Sequence, residues 1–421
     1  MRHLAAVTTL FCCSTFIAYG QEYSADQPAF STPPQALQTA FSKLEPGSNA
    51  VTILLEQGSF EFDAQGRRTS RHRLIFKVWT KAGADNWAMI ERNWAPWIEE
   101  RPSLRARVIT SDGAVHELDP KTIADAPARE AEPDVLGDRR IVRAPLPAVA
   151  PGCIVEQEIL ARETVPSSVP GSVGYFYFGN SASTERTIVQ IRGPESLPLH
   201  YKVQLAAGAA VSDRKENGSR IIDVSLGSLK PLEKLDEWLP PDEPRRPHIV
   251  YSTGSDWASI AHAYTALVEE QLKGYNATPH LPKFPRGATR EARILAIVDK
   301  LNREIRYTGV EFSEASLIPR KPSEVLERKY GDCKDKSTLA VAWLRAAGID
   351  AHVALLDASL GADIEADLPG ISAFNHAIVY LPGSPDIWLD PTDTDLRLNV
   401  LSPEDQGRYA LIARPATTGL I

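Results

Sequence analysis

Gly331-Asp332-Cys333-Lys334-Asp335-Lys336-Ser337, running on into Thr338-Leu339-Ala340-Val341-Ala342-Trp343-Leu344-Arg345-Ala346-Ala347-Gly348, is the stretch whose reading decides the C-terminal half of this chain. It reads as a helix with a thiol at its first residue. Asp332 is placed to cap it, its carboxylate accepting from the orphan N–H groups of the first turn, and Asp335 three residues on completes a capping-box pattern. Leu339, Ala340, Trp343, Leu344 and Ala347 recur at helical spacing, and Gly348 is a natural stop. With Asp332 as the cap, Cys333 is the first helical residue, where the helix dipole favours a thiolate over a thiol. A reactive sulfur needs that environment.

The rest of the chain sets the frame. Its 421 residues leave room for two domains, and 43% hydrophobic with 24% charged residues is ordinary for a soluble protein. A net charge of −8 offers no basic footprint for nucleic acid, and Arg139-Arg140 with Arg143 reads as a solvated face. Residues 1–20 have the pattern of a secretory signal peptide: Arg2 and His3, an apolar run from Leu4 to Ile17, then Ala18-Tyr19-Gly20 before Gln21. No later stretch is long and apolar enough for a membrane span. The expectation is an exported chain, periplasmic or secreted, with no transmembrane segment after cleavage. Of four cysteines, Cys12 and Cys13 leave with the leader. Cys153 and Cys333 remain, able to bridge in an oxidising compartment, although Cys153 reads more simply as a small buried residue at a strand start.

Residues 21–49 are polar with a short helical patch near Leu37–Leu44 and read as a lead-in with little core of its own. From 50 to 229 short runs rich in β-branched and aromatic residues alternate with turns such as Ser111-Asp112-Gly113, Pro151-Gly152 and Asn217-Gly218. That pattern predicts an all-β sandwich or open barrel. Trp79, Trp87, Trp94 and Trp97 are dense enough to serve either as its core and rim or as a ligand-stacking surface. Residues 230–254, with Pro240-Pro241, Pro244 and Pro247, read as an extended linker. Beyond it, Ser255 is positioned to cap one helix and Thr289 a second, before the cysteine helix. Strands are expected over Ala351–Leu356, Asn375–Leu381, Ile387–Asp390 and Tyr409–Ala413. Residues 255–421 are thus α+β, helices first and an antiparallel sheet after.

A nucleophilic cysteine requires a base and a group to orient that base. His376 lies in one expected strand and Asp390 ends the next, with Pro382-Gly383-Ser384-Pro385 turning between them, so a hairpin would set the carboxylate beside the imidazole. On spacing alone the order Cys, His, Asp is a weak signal. Its motifs carry more. Gly331-Asp332-Cys333-Lys334-Asp335-Lys336-Ser337, Asn375-His376-Ala377-Ile378-Val379 and Trp388-Leu389-Asp390-Pro391-Thr392 resemble the transglutaminase-like superfamily of papain-type cysteine enzymes. Nearly the whole mature chain is similar to exported bacterial proteins that place a β-rich domain of unknown function before such a core, and Leu118-Asp119-Pro120 and Pro151-Gly152 fit that domain more loosely.

The resemblance implies a papain-like core in which Cys333 attacks an amide carbonyl, His376 serves as base and then acid, and Asp390 orients it. A thioacyl-enzyme would be resolved by an amine or by water. The oxyanion would take the Cys333 N–H and one upstream donor; with no Gln or Trp between Asn302 and Asp332, Tyr307 is the candidate. No cofactor is implied, and Asp390, Asp393 and Asp395 lack the glycine and distal Glu of an EF-hand loop, so no metal is expected. The implied partner is a protein, peptide or peptidoglycan-type amide substrate. Protease, deamidase, transamidase and cell-wall amidase all stay open, as does a non-catalytic envelope binding or scaffold module that merely retains the triad. Proteins of this type often continue further than this chain does past Asp390.

Overall fold

The computed structural model describes residues 23–44, 49–128, 135–232, 243–244, 246–311, 317–359, 361–395 and 397–421. The leader at 1–20 lies outside them. Among the described residues no helix is long and apolar enough to cross a membrane.

The N-terminal half is organised on one large twisted sheet. Its strands run in the order Ala210–Glu216, Ser219–Leu226, Thr187–Pro194, Val51–Phe62, Arg68–Val78, Ile154–Arg162, Ser103–Ile109 and Val115–Glu117. Most neighbours are antiparallel, but Val51–Phe62 and Thr187–Pro194 pair in parallel. Side chains alternate across it as a pleated strand requires. Leu74, Phe76 and Val78 face a small sheet formed by Met89–Trp94, Arg140–Pro145 and Ala124–Pro127. Farther along the same large sheet, Phe62, Val189 and Ile222 pack against Phe176, Ile249 and Tyr251 of a second small sheet, built from Val173–Tyr177, His248–Ser252 and His200–Gln204. Trp94 is buried in the first of these cores and Trp87 packs on Phe76, so these two serve the core. Asn217 and Gly218, both at positive φ, make the tight hairpin expected of them.

Two expectations need correction. The lead-in does have a core: the helix Pro34–Ser42 buries Leu37 and Phe41 against Leu55, Ile75, Ile109 and Ile154 on the opposite face of the large sheet. On that face Glu156 is fully buried between Arg73 (Nη2 to Oε1, 2.6 Å) and Arg107 (Nε to Oε2, 2.8 Å). Both guanidinium groups also donate to the lead-in, Arg73 to Gln27 O and Arg107 to Thr32 O at 2.7 Å, while Phe30 N donates to Glu156 at 2.8 Å. Nor is residues 230–254 all linker. His248–Ser252 is buried along its length and is the middle strand of its small sheet, because Ile249, Val250 and Tyr251 carry more apolar surface than the preceding prolines suggest.

The C-terminal half packs helices Trp257–Leu272, Arg290–Glu304, Pro322–Arg328 and Cys333–Ala346 around a four-stranded antiparallel sheet in the order Ile387–Leu389, His376–Leu381, His352–Leu356, Leu411–Ile412. Asp256, rather than Ser255, caps the first helix, and Thr289 caps the second. The loop from 357 to 375, which leads into His376, is fastened to the β half. Ile371 N donates to Gly171 O, Val173 N to Ser372 Oγ at 2.6 Å, Ser252 Oγ to Pro369 O, and Lys202 pairs with Glu365. Three glycines make the approach close enough. A Cβ on Gly254 would overlap the Pro369 carbonyl, one on Gly370 would lie 2.6 Å from Val173, and one on Gly171 would lie 2.8 Å from Gly254 Cα.

Replacing Glu156 by Gln strands two buried guanidinium charges, at a cost of about 3–5 kcal/mol for a broken buried pair. The denaturation midpoint is expected to drop accordingly, and protease cleavage within residues 23–44 to accelerate. A variant that also replaces Arg73 and Arg107 by Met should recover much of the loss, because no charge is then left uncompensated.

Candidate active site

The N-terminus of the cysteine helix is closed in both directions. Asp332 accepts from Asp335 N at 3.1 Å, and the Asp335 carboxylate reaches back to Asp332 N at 3.5 Å and accepts from Arg320 N at 2.7 Å. The capping box read from sequence is present. Gly331 lets it form: a Cβ there would lie 2.8 Å from Asp335 Cβ. Both aspartates are buried, unlike surface caps, and so is Lys334, whose ammonium pairs with Asp332. Burial, and then the charge of Asp332, push the Asp335 carboxyl up to about 6. Burial works against the charge on Lys334, but Asp332 and Cys333 outweigh it and hold its pKa above the usual lysine value. Cys333 itself is half-buried and free, as is buried Cys153, which starts its strand as expected.

One turn into the helix, Ser337 donates to Ala377 O at 2.8 Å. That bond ties the helix to the strand His376–Leu381 one residue from the imidazole. The adjacent antiparallel strand, Ile387–Leu389, pairs Val379 with Leu389 and delivers Asp390 alongside. His376 Nε2 lies 3.0 Å from Asp390 Oδ2. Nδ1 is the ring nitrogen that Asp390 does not engage, and the Cys333 side chain lies near enough to the imidazole to raise its pKa. Cys333, His376 and Asp390 are therefore brought together.

The charges around this imidazole explain its state. Burial disfavours the imidazolium, but hydrogen bonds to Asp390 and Cys333, and their charges, push His376 up to about 11. Burial likewise acts against the Asp390 carboxylate, yet His376 and Thr392 hold it below the ordinary aspartate value. Thr392 donates through both its N–H and its hydroxyl, each at 2.8 Å. Tyr307 is placed differently from the triad. Its two-residue strand, Arg306–Tyr307, lies parallel to Tyr330–Gly331, immediately before the cap, and its side chain is 43% exposed.

Several residues here escaped the sequence reading. Lys334, Ser337 and Thr392 lie inside motifs already noted, but nothing local distinguishes them from solvated polar residues. Lys336 is 1% exposed, and burial pushes its ammonium down to about 8, with Asp390 opposing that shift. Asp405 is 4% exposed, and one of its oxygens lies within 4.8 Å of both a His376 nitrogen and an Asp390 oxygen.

Comparison with known proteins bears on the family and the fold. Residues 64–233 match the family described as Domain of Unknown Function with solved-structure structure (DUF3857), and residues 284–379 match the Transglutaminase-like superfamily. The second match includes Cys333 and His376. A solved structure from Parabacteroides distasonis ATCC 8503, described as a candidate protease, is similar with a TM-score of 0.64 at 14% identity, over 82% of this chain and 71% of that one. A candidate cysteine protease from Cytophaga hutchinsonii aligns at 10% identity over 72% of this chain and 80% of that one, but its TM-score of 0.20 carries no argument. No match was found among curated proteins. The chain has a β-rich N-terminal domain of the first family followed by a transglutaminase-like domain with a papain-like α+β fold.

Lys336 supplies a pH test. A lysine whose folded pKa is depressed costs stability while it must be charged, and the cost fades as pH rises from about 8 towards the unfolded value near 10.4. Lys336→Met is expected to raise stability by roughly 2 kcal/mol below pH 8, with the gain vanishing above pH ~10.4. Thermal melts of both proteins across that range measure it.

Proposed function

We propose that Cys333, His376 and Asp390 carry out thiol-dependent acyl transfer on amide bonds of a protein or peptide substrate. The observation that carries this is an imidazole bonded through Nε2 to Asp390 and raised in pKa by its neighbour Cys333, a cysteine at a capped helix start. The match to the Transglutaminase-like superfamily supports a thiol peptidase or acyltransferase. In this reading the Cys333 sulfur attacks the carbonyl carbon while the imidazolium stands ready to protonate the departing amine. The C–N bond breaks, the acyl group stays on sulfur as a thioester, and the now neutral imidazole takes a proton from the incoming water or amine. Asp390 keeps the ring in one orientation and offsets its charge, and Thr392 fixes the carboxylate. The tetrahedral oxyanion is received by the Cys333 N–H, with the Tyr307 hydroxyl as second donor. The leader pattern at residues 1–20 supports an exported protein whose substrates are envelope or extracellular chains, with peptidoglycan-type amides in the same chemical class.

The test is alkylation of Cys333 followed by intact mass in a Cys153→Ala background, against pH, with and without His376→Ala. Cys333 should react faster than a free cysteine at pH ~6, and the histidine change should abolish that advantage. A sulfur that behaves as an ordinary thiol in both proteins overturns the reading and favours a binding module. On a substrate found by peptide-pool screening, Cys333→Ala is expected to eliminate turnover and Tyr307→Phe to lower kcat by about 10²-fold.

A further inference from the structure

Beyond the three residues above, we propose that Asp405 is a positioning residue of the same site: a second carboxylate that faces His376 and, together with Asp390, holds the imidazole in its charged form. This rests on the triad reading. Asp405 approaches from the C-terminal segment, on a turn closed by its own N–H to Ser402 O at 3.1 Å. Ser402 also hydrogen-bonds the carboxyl, but Oδ2 has no partner although the residue is nearly sealed from solvent. A buried carboxylate oxygen left without a donor is costly. The same carboxylate neighbours the cation of the site. A ring nitrogen of His376 and one carboxylate oxygen from each of Asp390 and Asp405 all lie within 4.8 Å of one another, so two carboxylates stand beside the imidazolium.

The surrounding charges fit that role. His376 is faced by Cys333 from the cysteine helix, by Asp390 from the end of its neighbouring strand and by Asp405. Lys336, also from the cysteine helix, faces Asp390, and Glu404 lies next to Asp405. Burial raises the Asp405 pKa, and of its two neighbours in the site His376 lowers it while Asp390 raises it. The two carboxylates are matched in number by the imidazolium and, while it is charged, the Lys336 ammonium. Losing Asp405 removes a negative charge from beside the imidazolium and from beside Asp390, while Asp390 keeps its three hydrogen bonds from His376 and Thr392. A cation bound among these groups would have to displace Nε2 from Asp390, so the measurement is made in EDTA.

The experiment is the pH profile of Cys333 alkylation by iodoacetamide in the full chain carrying Cys153→Ala, for Asp405, Asp405→Asn and His376→Ala. Removing the second counter-ion is expected to move the alkaline step, where the imidazolium loses its proton, about one unit towards acid in Asp405→Asn. A merely structural role would lower the melting temperature and leave the step in place. That result overturns the proposal. If His376→Ala leaves the profile unchanged, it is the triad reading that fails, which separates the two. Should Asp405→Asn not fold, Asp405→Ser removes the same charge from less volume and is read in the same way. Asp405→Glu, which keeps the charge, should restore the wild-type step if it restores the contact.

Discussion

The closed N-terminus of the cysteine helix is the constraint on which the rest of the site depends. A helix start normally leaves its first N–H groups to water. Here water is excluded, since Asp332, Lys334, Asp335, Lys336, Ser337 and Thr338 are all buried. The reciprocal Asp332–Asp335 box meets the Asp332 and Asp335 N–H groups from within the protein, leaves the Cys333 N–H uncommitted, and forms because Gly331 keeps its space empty. Burial, and then the charge of Asp332, push the Asp335 carboxyl up to about 6, and Lys334 folds back onto Asp332. That packing sets where Cys333 stands on the helix.

From there the geometry passes outward by a short chain of fixed bonds. Ser337 fastens the helix to Ala377, the sheet register places Asp390 beside His376, and Thr392 stops the carboxylate from turning. The loop preceding His376 then runs to the β domain, where Ser372, Pro369 and Glu365 are held by Val173, Ser252 and Lys202. The imidazole is thus braced from both halves of the chain. A β domain that only carried the core on a tether would leave this loop unsupported.

Much of the helix was legible because its signals are local. Cap, nucleophile and stop lie within one continuous run, and Gly348 takes the positive φ its place after the helix demands. The His–Asp pairing was legible because a hairpin is a local object too. The β-rich class followed from repeated turns and alternation, although the parallel pairing of Val51–Phe62 with Thr187–Pro194 joins segments far apart in the chain and left no sequence mark. The same limit hid the clamp on the lead-in. Arg73, Arg107 and Glu156 read singly as surface charges, and only the sheet brings them together against Gln27 and Thr32. His248–Ser252 was overshadowed by its prolines. Asp405 sits in Ser402-Pro403-Glu404-Asp405, which has no motif at all; its meaning comes entirely from what it faces.

The glycine seam has a consequence for how such a protein can change over generations. Two separate family matches suggest two interchangeable modules. Yet Gly171 comes from the first, Gly370 from the second, and Gly254 from the stretch between them; Gly171 and Gly254 meet main chain, and Gly370 meets the Val173 side chain with the Ser172–Val173 backbone behind it. A recombination event that brought in a foreign partner domain would have to reproduce all three vacancies at once. Drift at Gly171 or Gly254 cannot be compensated by trimming a neighbour, because the nearest neighbours there are main chain. The two halves are separable in description but inherited as a matched pair.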